Sequence, residues 1–163
     1  MAKKDRKEAK DPAFGSIAKN RQAFHHYEVL SKLECGLVLT GTEVKSLRDG
    51  QVAFADCFAA VQGEELFLHN LNISEYRMGN RFNHLAARKR KLLAHRREIN
   101  KLRSAVEQRG LTLVPLGLHW SRGMAKVELG LVRGKQLHDK RDALRKKDQR
   151  RDAERVIRGL TKG

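Results

Sequence analysis

The chain has 163 residues, 40% of them apolar, with 35 Lys and Arg against 19 Asp and Glu, a formal net charge of +16. That length predicts one domain with tails, the apolar share suffices for a small core, and no apolar run approaches the length of a membrane span. The charged opening MAKKDRKEAKD, with no apolar stretch behind it, does not read as a secretory signal.

Residues 1–15 read as a disordered arm, charged and then broken by DPAFG. Ser16 is placed to cap a short helix running to about Phe24. YEVL (27–30) and LECGLVL (33–39) are rich in branched and aromatic residues and predict strands. In TGTEVKSLRDG, Thr42 is the expected N-cap and Gly50 the expected stop of a two-turn helix with Val44 and Leu47 on one face. CFAAVQGEELFLHN predicts a hairpin turning at Gln62-Gly63-Glu64, and LNIS continues as a strand. EYRMGNRFNHLAA has no period and is long enough to be a functional loop.

Residues 87–108 predict the most substantial helix of the body, with Leu92, Ile99, Leu102 and Val106 in an apolar stripe and Gly110 at its end. Arg90, Arg97 and Lys101 fall opposite that stripe. Leu93 lies about 100° off its centre, partly exposed, and His95 lies beside it, where a hydrogen-bonded core histidine is the commoner outcome. LTLVPLGLHW and MAKVELGLV predict a second hairpin across Ser121-Arg122-Gly123. In its second strand Ala125, Val127, Leu129 and Leu131 alternate with Lys126, Glu128 and Gly130, giving one buried and one wet face.

The chain closes on a predicted helix over 135–158 that has no apolar stripe; from Arg145 to Arg155 the only apolar residue is Ala153. About six short strands with one helix inserted before the last hairpin predict a mainly β fold. The expected form is a small closed or nearly closed barrel of antiparallel strands over residues 16–132. Residues 133–163 then form a flexible basic C-terminal tail.

The positive charge is segregated. Residues 1–21 carry 7 basic and 3 acidic side chains, residues 88–103 carry 8 and 1, and residues 131–163 carry 12 and 5, so the remainder is close to neutral. Such segregation points to a polyanionic partner. Nucleic acid is favoured over a membrane because the basic segments lack the Trp- and Phe-rich face of an interfacial helix. In the segment 88–103, neighbouring like charges oppose helix formation, and a phosphate backbone relieves that repulsion.

Catalytic chemistry has little support. Cys35 and Cys57 show no ligand spacing and read as buried, reduced thiols. The seven histidines include the adjacent pair His25-His26, which diverges on a helix, and none has an HxxxH or CxxC partner, so neither a metal nor another cofactor is expected. No GxSxG, Gly-rich phosphate loop or P-loop lysine is present.

Six blocks carry a family resemblance: IAKNRQA (17–23), GLVLTGTEVKSLRDG (36–50), YRMGNRFNH (76–84), RKLLAHRREI (90–99), GLTLVPLGLHW (110–120) and KVELGLVRGKQLHDKR (126–141). In this order they resemble the SsrA-binding protein family, also called small protein B, over nearly the whole chain from residue 17. TGTEVKSLR together with GNRFNH is the most specific part. Glu75 stands where the family often has proline, and the Gly-rich end IRGLTKG suggests that the helix stops near Arg158.

The resemblance implies a small oligonucleotide-binding-type barrel with flanking helices and a flexible C-terminal tail, in a non-enzymatic, cytoplasmic bacterial protein that binds the tRNA-like domain of transfer-messenger RNA and brings it to stalled ribosomes for trans-translation. It further implies elongation factor Tu as an indirect partner through the RNA and a chain that is monomeric when free. It places RNA-contacting residues at Glu34, Leu93, His95 and Lys126, with Arg90, Lys91 and Arg97 as neighbouring basic candidates. It places the tail, disordered when free and helical on the ribosome, in the decoding site and the empty messenger channel. Its contact residues there are Gly134, Lys135, His138, Asp139, Lys140 and Arg141.

Residue chemistry accords with these roles unevenly. Lys126 faces the wet side of its strand, as a phosphate ligand should. Leu93, off the stripe, suits contact with an unstacked base or ribose. Glu34 repels phosphate but can accept from a base edge or a 2′-hydroxyl, or orient a cation. His138 can stack on an exposed base. The rival readings are a barrel that binds RNA without selectivity and an RNA-processing enzyme.

Overall fold

The computed structural model describes residues 15–79, 81–135 and 137–160. The predicted disorder of the N-terminal arm falls on residues outside this set, apart from Gly15. Thirteen elements follow one another: β1 Gly15–Lys19, α1 Arg21–His26, β2 Tyr27–Leu37, α2 Gly41–Arg48, β3 Val52–Ala53, β4 Phe58–Gln62, β5 Glu65–His69, β6 Asn72–Ile73, β7 Arg90–Leu93, α3 Arg96–Arg109, β8 Thr112–Ser121, β9 Met124–Gly134 and α4 Leu137–Leu160.

The main sheet runs β1-β8-β4-β5-β7-β2-β9, and β9 also pairs with β8. The pairing β4-β5-β7-β2-β9-β8 therefore closes into a ring of six antiparallel strands, with α3 inserted between β7 and β8, consistent with the oligonucleotide-binding-type barrel that the resemblance implies. The strand β1 pairs with the far half of β8, and β3 and β6 form a separate two-stranded ribbon. The barrel closes around Leu66, Leu68, Leu92, Leu113, Leu118, Val127 and Leu129, all nearly inaccessible. From α3 come Ile99, Leu102 and the partly buried Val106.

Both hairpins fall where their turn residues put them. The β4–β5 pair aligns Gln62 with Glu65 and the β8–β9 pair aligns Ser121 with Met124. The segments 27–30 and 33–39 merge into the single strand β2, kinked by a register shift between Val29 and Ser31. A second shift in β8 lies between Pro115 and Gly117. Proline has no ladder donor, and the carbonyls freed there are taken by Asn20: its Nδ2 donates to Pro115 O at 2.9 Å and its backbone N–H to Leu116 O at 2.8 Å.

That arrangement corrects the expected first helix. Ser16 lies in β1, and the cap is Asn20, whose Oδ1 accepts from Ala23 N at 3.2 Å. In α2 the N-cap is Thr40, not Thr42, because Glu43 reaches back to accept Thr40 N–H at 2.8 Å. This turns Glu43, Ser46 and Leu47 inward, while Val44 is only half-buried.

The predicted helix over 87–108 opens on a short strand. Residues 90–93 form β7, which pairs Leu92 with Leu66 of β5 and with Leu37 of β2. The helix begins only at Arg96. The alternation is inward, outward, inward, outward for Arg90, Lys91, Leu92 and Leu93. No described helix is long and apolar enough to cross a membrane. The helix α4 reaches Leu160, two residues past Arg158, and its described side chains are exposed except Asp142.

Candidate nucleic-acid interface

One outward row of side chains crosses three strand pairs. Leu93 on β7 lies opposite Gly36 on β2, Gly36 opposite Lys126 on β9, and Lys126 opposite His119 on β8. Glu34 is two residues before Gly36 and so shares its face of β2. Its carboxylate bridges the row: Lys126 Nζ donates to Oε1 at 2.7 Å and His119 Nε2 to Oε2 at 2.9 Å. Both carboxylate oxygens are thus engaged, yet Glu34 remains exposed. The Lys126 hydrogen bond, then that of His119, outweigh what little desolvation there is and hold the Glu34 carboxyl below its ordinary value.

Gly36 leaves a gap in the row. A Cβ there would stand 3.2 Å from Leu93 Cβ, closer than ordinary contact, so any side chain would push Leu93 aside. Leu93 is 54% exposed on the outer face of the barrel wall. Beside it opens a groove of about 410 Å³ with Val44, Trp120, Met124 and Lys126 among its lining residues. A charged, hydrogen-bonding patch therefore adjoins an apolar one. That pairing suits a nucleotide: ribose and base hydrogen bonds at Glu34 and His119, phosphate at Lys126, and an apolar ring face at Leu93.

The other expected contacts distribute unevenly. Lys91 shares the outward face of β7 with Leu93 and pairs with Glu65. His95 is the N-cap residue of α3 and exposed, not a core histidine beside an apolar stripe; Glu98 Oε2 accepts its backbone N–H at 2.9 Å. Arg97 is exposed on the first turn of α3. Arg90 is a correction. It was expected on an exposed helix face, but it is 0% exposed, turned into the barrel by the strand alternation and bound to the buried carboxylate of Glu43. It has no surface to offer an RNA.

At the root of the tail, Gly134 ends β9 opposite Tyr27. Lys135 is fastened to α1, its backbone N–H donating to His26 O at 3.0 Å and its Nζ to Phe24 O at 3.1 Å. His138, Asp139 and Lys140 lie in α4, and their side chains are outside those described; Arg141 is exposed.

Sequence reading missed His119, Gly36, Trp120 and Met124. A signal for His119 existed. Counting outward from the Arg122-Gly123 turn sets it directly opposite Lys126. Trp120 and Met124 flank the same turn, but whether they line a groove depends on α2, a contact remote in sequence. Cys35 and Cys57 are free and buried, and desolvation pushes both thiols up to about 12. Among the described residues no group of three or more His, Cys, Asp or Glu side chains is arranged to hold a metal.

Comparison with known proteins follows this geometry. The family model described as SmpB protein matches residues 17–159. The SsrA-binding protein of Streptomyces coelicolor is 51% identical over 152 residues, covering 93% of this chain and 96% of that one. The SsrA-binding protein of Geobacter sulfurreducens is 49% identical over 146 residues, covering 90% and 95%. A solved chain described as "tmRNA-SmpB: a journey to the center of the bacterial ribosome" superposes with a TM-score of 0.64 at 49% identity, over 78% of this chain and 94% of that one. With its barrel and most of its tail inside the matched residues, the chain belongs to the SmpB protein family.

Proposed function

We propose that this chain is a non-enzymatic RNA-binding protein of trans-translation. The barrel holds the tRNA-like domain of transfer-messenger RNA on the row Leu93, Gly36, Lys126 and His119 with Glu34 across it. The chain then accompanies that RNA to the stalled ribosome in the cytoplasm, where the tail occupies the decoding site and the empty messenger channel. Elongation factor Tu meets it only through the RNA, and the free chain is a monomer. The observation that carries this reading is the bridged cluster of Glu34, Lys126 and His119 set beside an exposed leucine on a barrel wall. Family membership and the ribosomal setting of the solved relative support it.

The test is selectivity at fixed salt. Unlabelled transfer-messenger RNA should displace the labelled RNA far better than an equal mass of ribosomal RNA, and log K should fall linearly with log salt in proportion to the phosphates neutralised. Equal competition by both RNAs would favour unselective RNA binding and contradict the proposal.

A further inference from the structure

Two donors share the one carboxylate of the outward row. Lys126 Nζ stands 2.7 Å from Glu34 Oε1, and His119 Nε2 stands 2.9 Å from Oε2. An ionised carboxylate only accepts, so the neutral imidazole carries its proton on Nε2 and leaves Nδ1 as an acceptor. Histidine is the side chain whose charge changes between about pH 5 and pH 8. A second proton, taken from solvent, therefore goes to Nδ1, and the ring becomes a cation with two donors. His119 keeps 31% of its side-chain surface exposed, so water reaches it.

The other charges of the cluster decide what that proton does. The Lys126 hydrogen bond, then that of His119, hold the Glu34 carboxyl below its ordinary value, so it stays ionised across this range. While His119 is neutral, the Glu34 carboxylate cancels the Lys126 ammonium, and a phosphate has to compete with Glu34 for that lysine. Once His119 is charged, the cluster gains one net positive charge. The imidazolium then balances Glu34, and Lys126 can turn to a phosphate.

Neighbouring groups do not offset this change. Glu128 of β9 is already paired with Lys32 of β2 at 2.8 Å. The strand β1 brings Ser16 opposite His119 and Lys19 opposite Gly117. Arg122 is exposed in the β8–β9 turn. Elsewhere on β8, β4 pairs at Leu113 and α1 packs with Val114 and Leu116, on the other half of the strand.

From this geometry we propose that His119 is a positioning residue that acts through Glu34: protonated, it takes over the carboxylate and releases Lys126 to an RNA phosphate, so that RNA binding takes up a proton. The inference rests on the proposed function of the row and adds to it a dependence on pH.

The test uses the full chain and transfer-messenger RNA. Wild-type affinity should rise by about three- to five-fold from about pH 8 to about pH 5.5. The slope of log K against log salt should steepen by about one over the same range, for the extra phosphate neutralised. Calorimetry at about pH 6.5, in buffers of different ionisation enthalpy, should show uptake of up to about one proton per chain on binding. His119→Gln still has a donor for Glu34 but cannot titrate, so it should lose the steepening and most of the uptake. His119→Arg is charged at every pH and should show the steep salt slope already at about pH 8. Melting temperatures at each pH keep folding apart from binding, and should the Gln variant melt early, the Arg variant decides. A pH profile and proton uptake that His119→Gln shares with the wild type belong to another histidine and would overturn the inference. So would a shallow salt slope in His119→Arg. Wild-type affinity in Glu34→Ala would instead overturn the row as the RNA face. Weak binding by Glu34→Ala beside an unchanged pH profile in His119→Gln overturns the role of His119 alone.

Discussion

Replacing Glu43 by Ala should lower the unfolding free energy by about 3–5 kcal/mol, a large share of the ~5–15 kcal/mol of an ordinary domain. Glu43 and Arg90 are both 0% exposed. The carboxylate takes four donors within 2.8 Å: Arg88 Nε and Arg90 Nε on Oε1, Arg88 Nη2 and the Thr40 backbone N–H on Oε2. The Arg90 guanidinium also donates to the carbonyls of Leu71, Ala86 and Arg88, which fastens the long loop to the start of β7. Without Glu43 a buried cation keeps its carbonyl partners and loses its counter-charge. Glu43→Gln should cost less, since it preserves shape and part of the hydrogen bonding. Glu43→Gln combined with Arg90→Met should recover stability relative to Glu43→Gln alone, because the unpaired charge is gone. Urea midpoints of the three variants measure this.

The same group predicts an acid dependence. Burial pushes the Glu43 carboxyl up, but the hydrogen bonds from Arg88 and Thr40 and the charges of Arg90 and Arg88 win, and its net shift is downward. A lowered folded-state value means that its contribution is fully present above the ordinary glutamate value of about 4.3. It is lost as pH falls through the lowered value. The stability gap between wild type and Glu43→Gln should therefore be constant near neutral pH and close in acid.

Cutting the chain after Lys135 should abolish tagging on stalled ribosomes while leaving the affinity for transfer-messenger RNA within a few-fold. Such a chain keeps all of β9 and the contacts of Lys135 with α1. It loses α4, whose described large apolar side chains, Leu144, Val156 and Ile157, are all exposed. Ordering each backbone residue costs about 1–2 kcal/mol, and most helical stability in proteins comes from packing an amphipathic face. Arg145, Lys146 and Lys147 are adjacent like charges, as are Arg150 and Arg151. The pairs Arg150–Glu154 and Arg155–Asp152 are exposed and relieve little of this repulsion. A channel walled by RNA phosphates neutralises such a helix on every side. Amide exchange of the free chain should accordingly show weak protection across 141–155, and tagging by the shortened chain would refute the role given to the tail.

How much of this was legible before folding depends on the range of the contact responsible. The β4–β5 and β8–β9 hairpins were legible because their turns and alternation lie within a dozen residues. A barrel of about six strands was expected from the number of short strands, but the ring that forms takes in β7. The strand β7 was not legible, since RKLL shows no apolar alternation: its inward residue is Arg90, made acceptable by a carboxylate 47 residues earlier. Leu92 is buried under either reading, which let the helical stripe seem continuous. Leu93 was expected to be exposed and is, though from strand alternation and not from a helical wheel. Of the site, Glu34 and Lys126 were named by resemblance. Their joining through His119 required the pairing of β8, β9 and β2. The tail's helix and its lack of an apolar face were plain in composition alone.

The central claim is that the row from Leu93 to His119 is the face that holds the RNA. Its most direct measurement is the dissociation constant for transfer-messenger RNA of the Glu34→Ala and Leu93→Ala chains, with melting temperature taken on the same samples. Both side chains are exposed, so each variant should melt with the wild type. Loss of a charged hydrogen-bonding partner or of the apolar contact should weaken binding about ten-fold in each case. Wild-type affinity in both variants would contradict the assignment of this face.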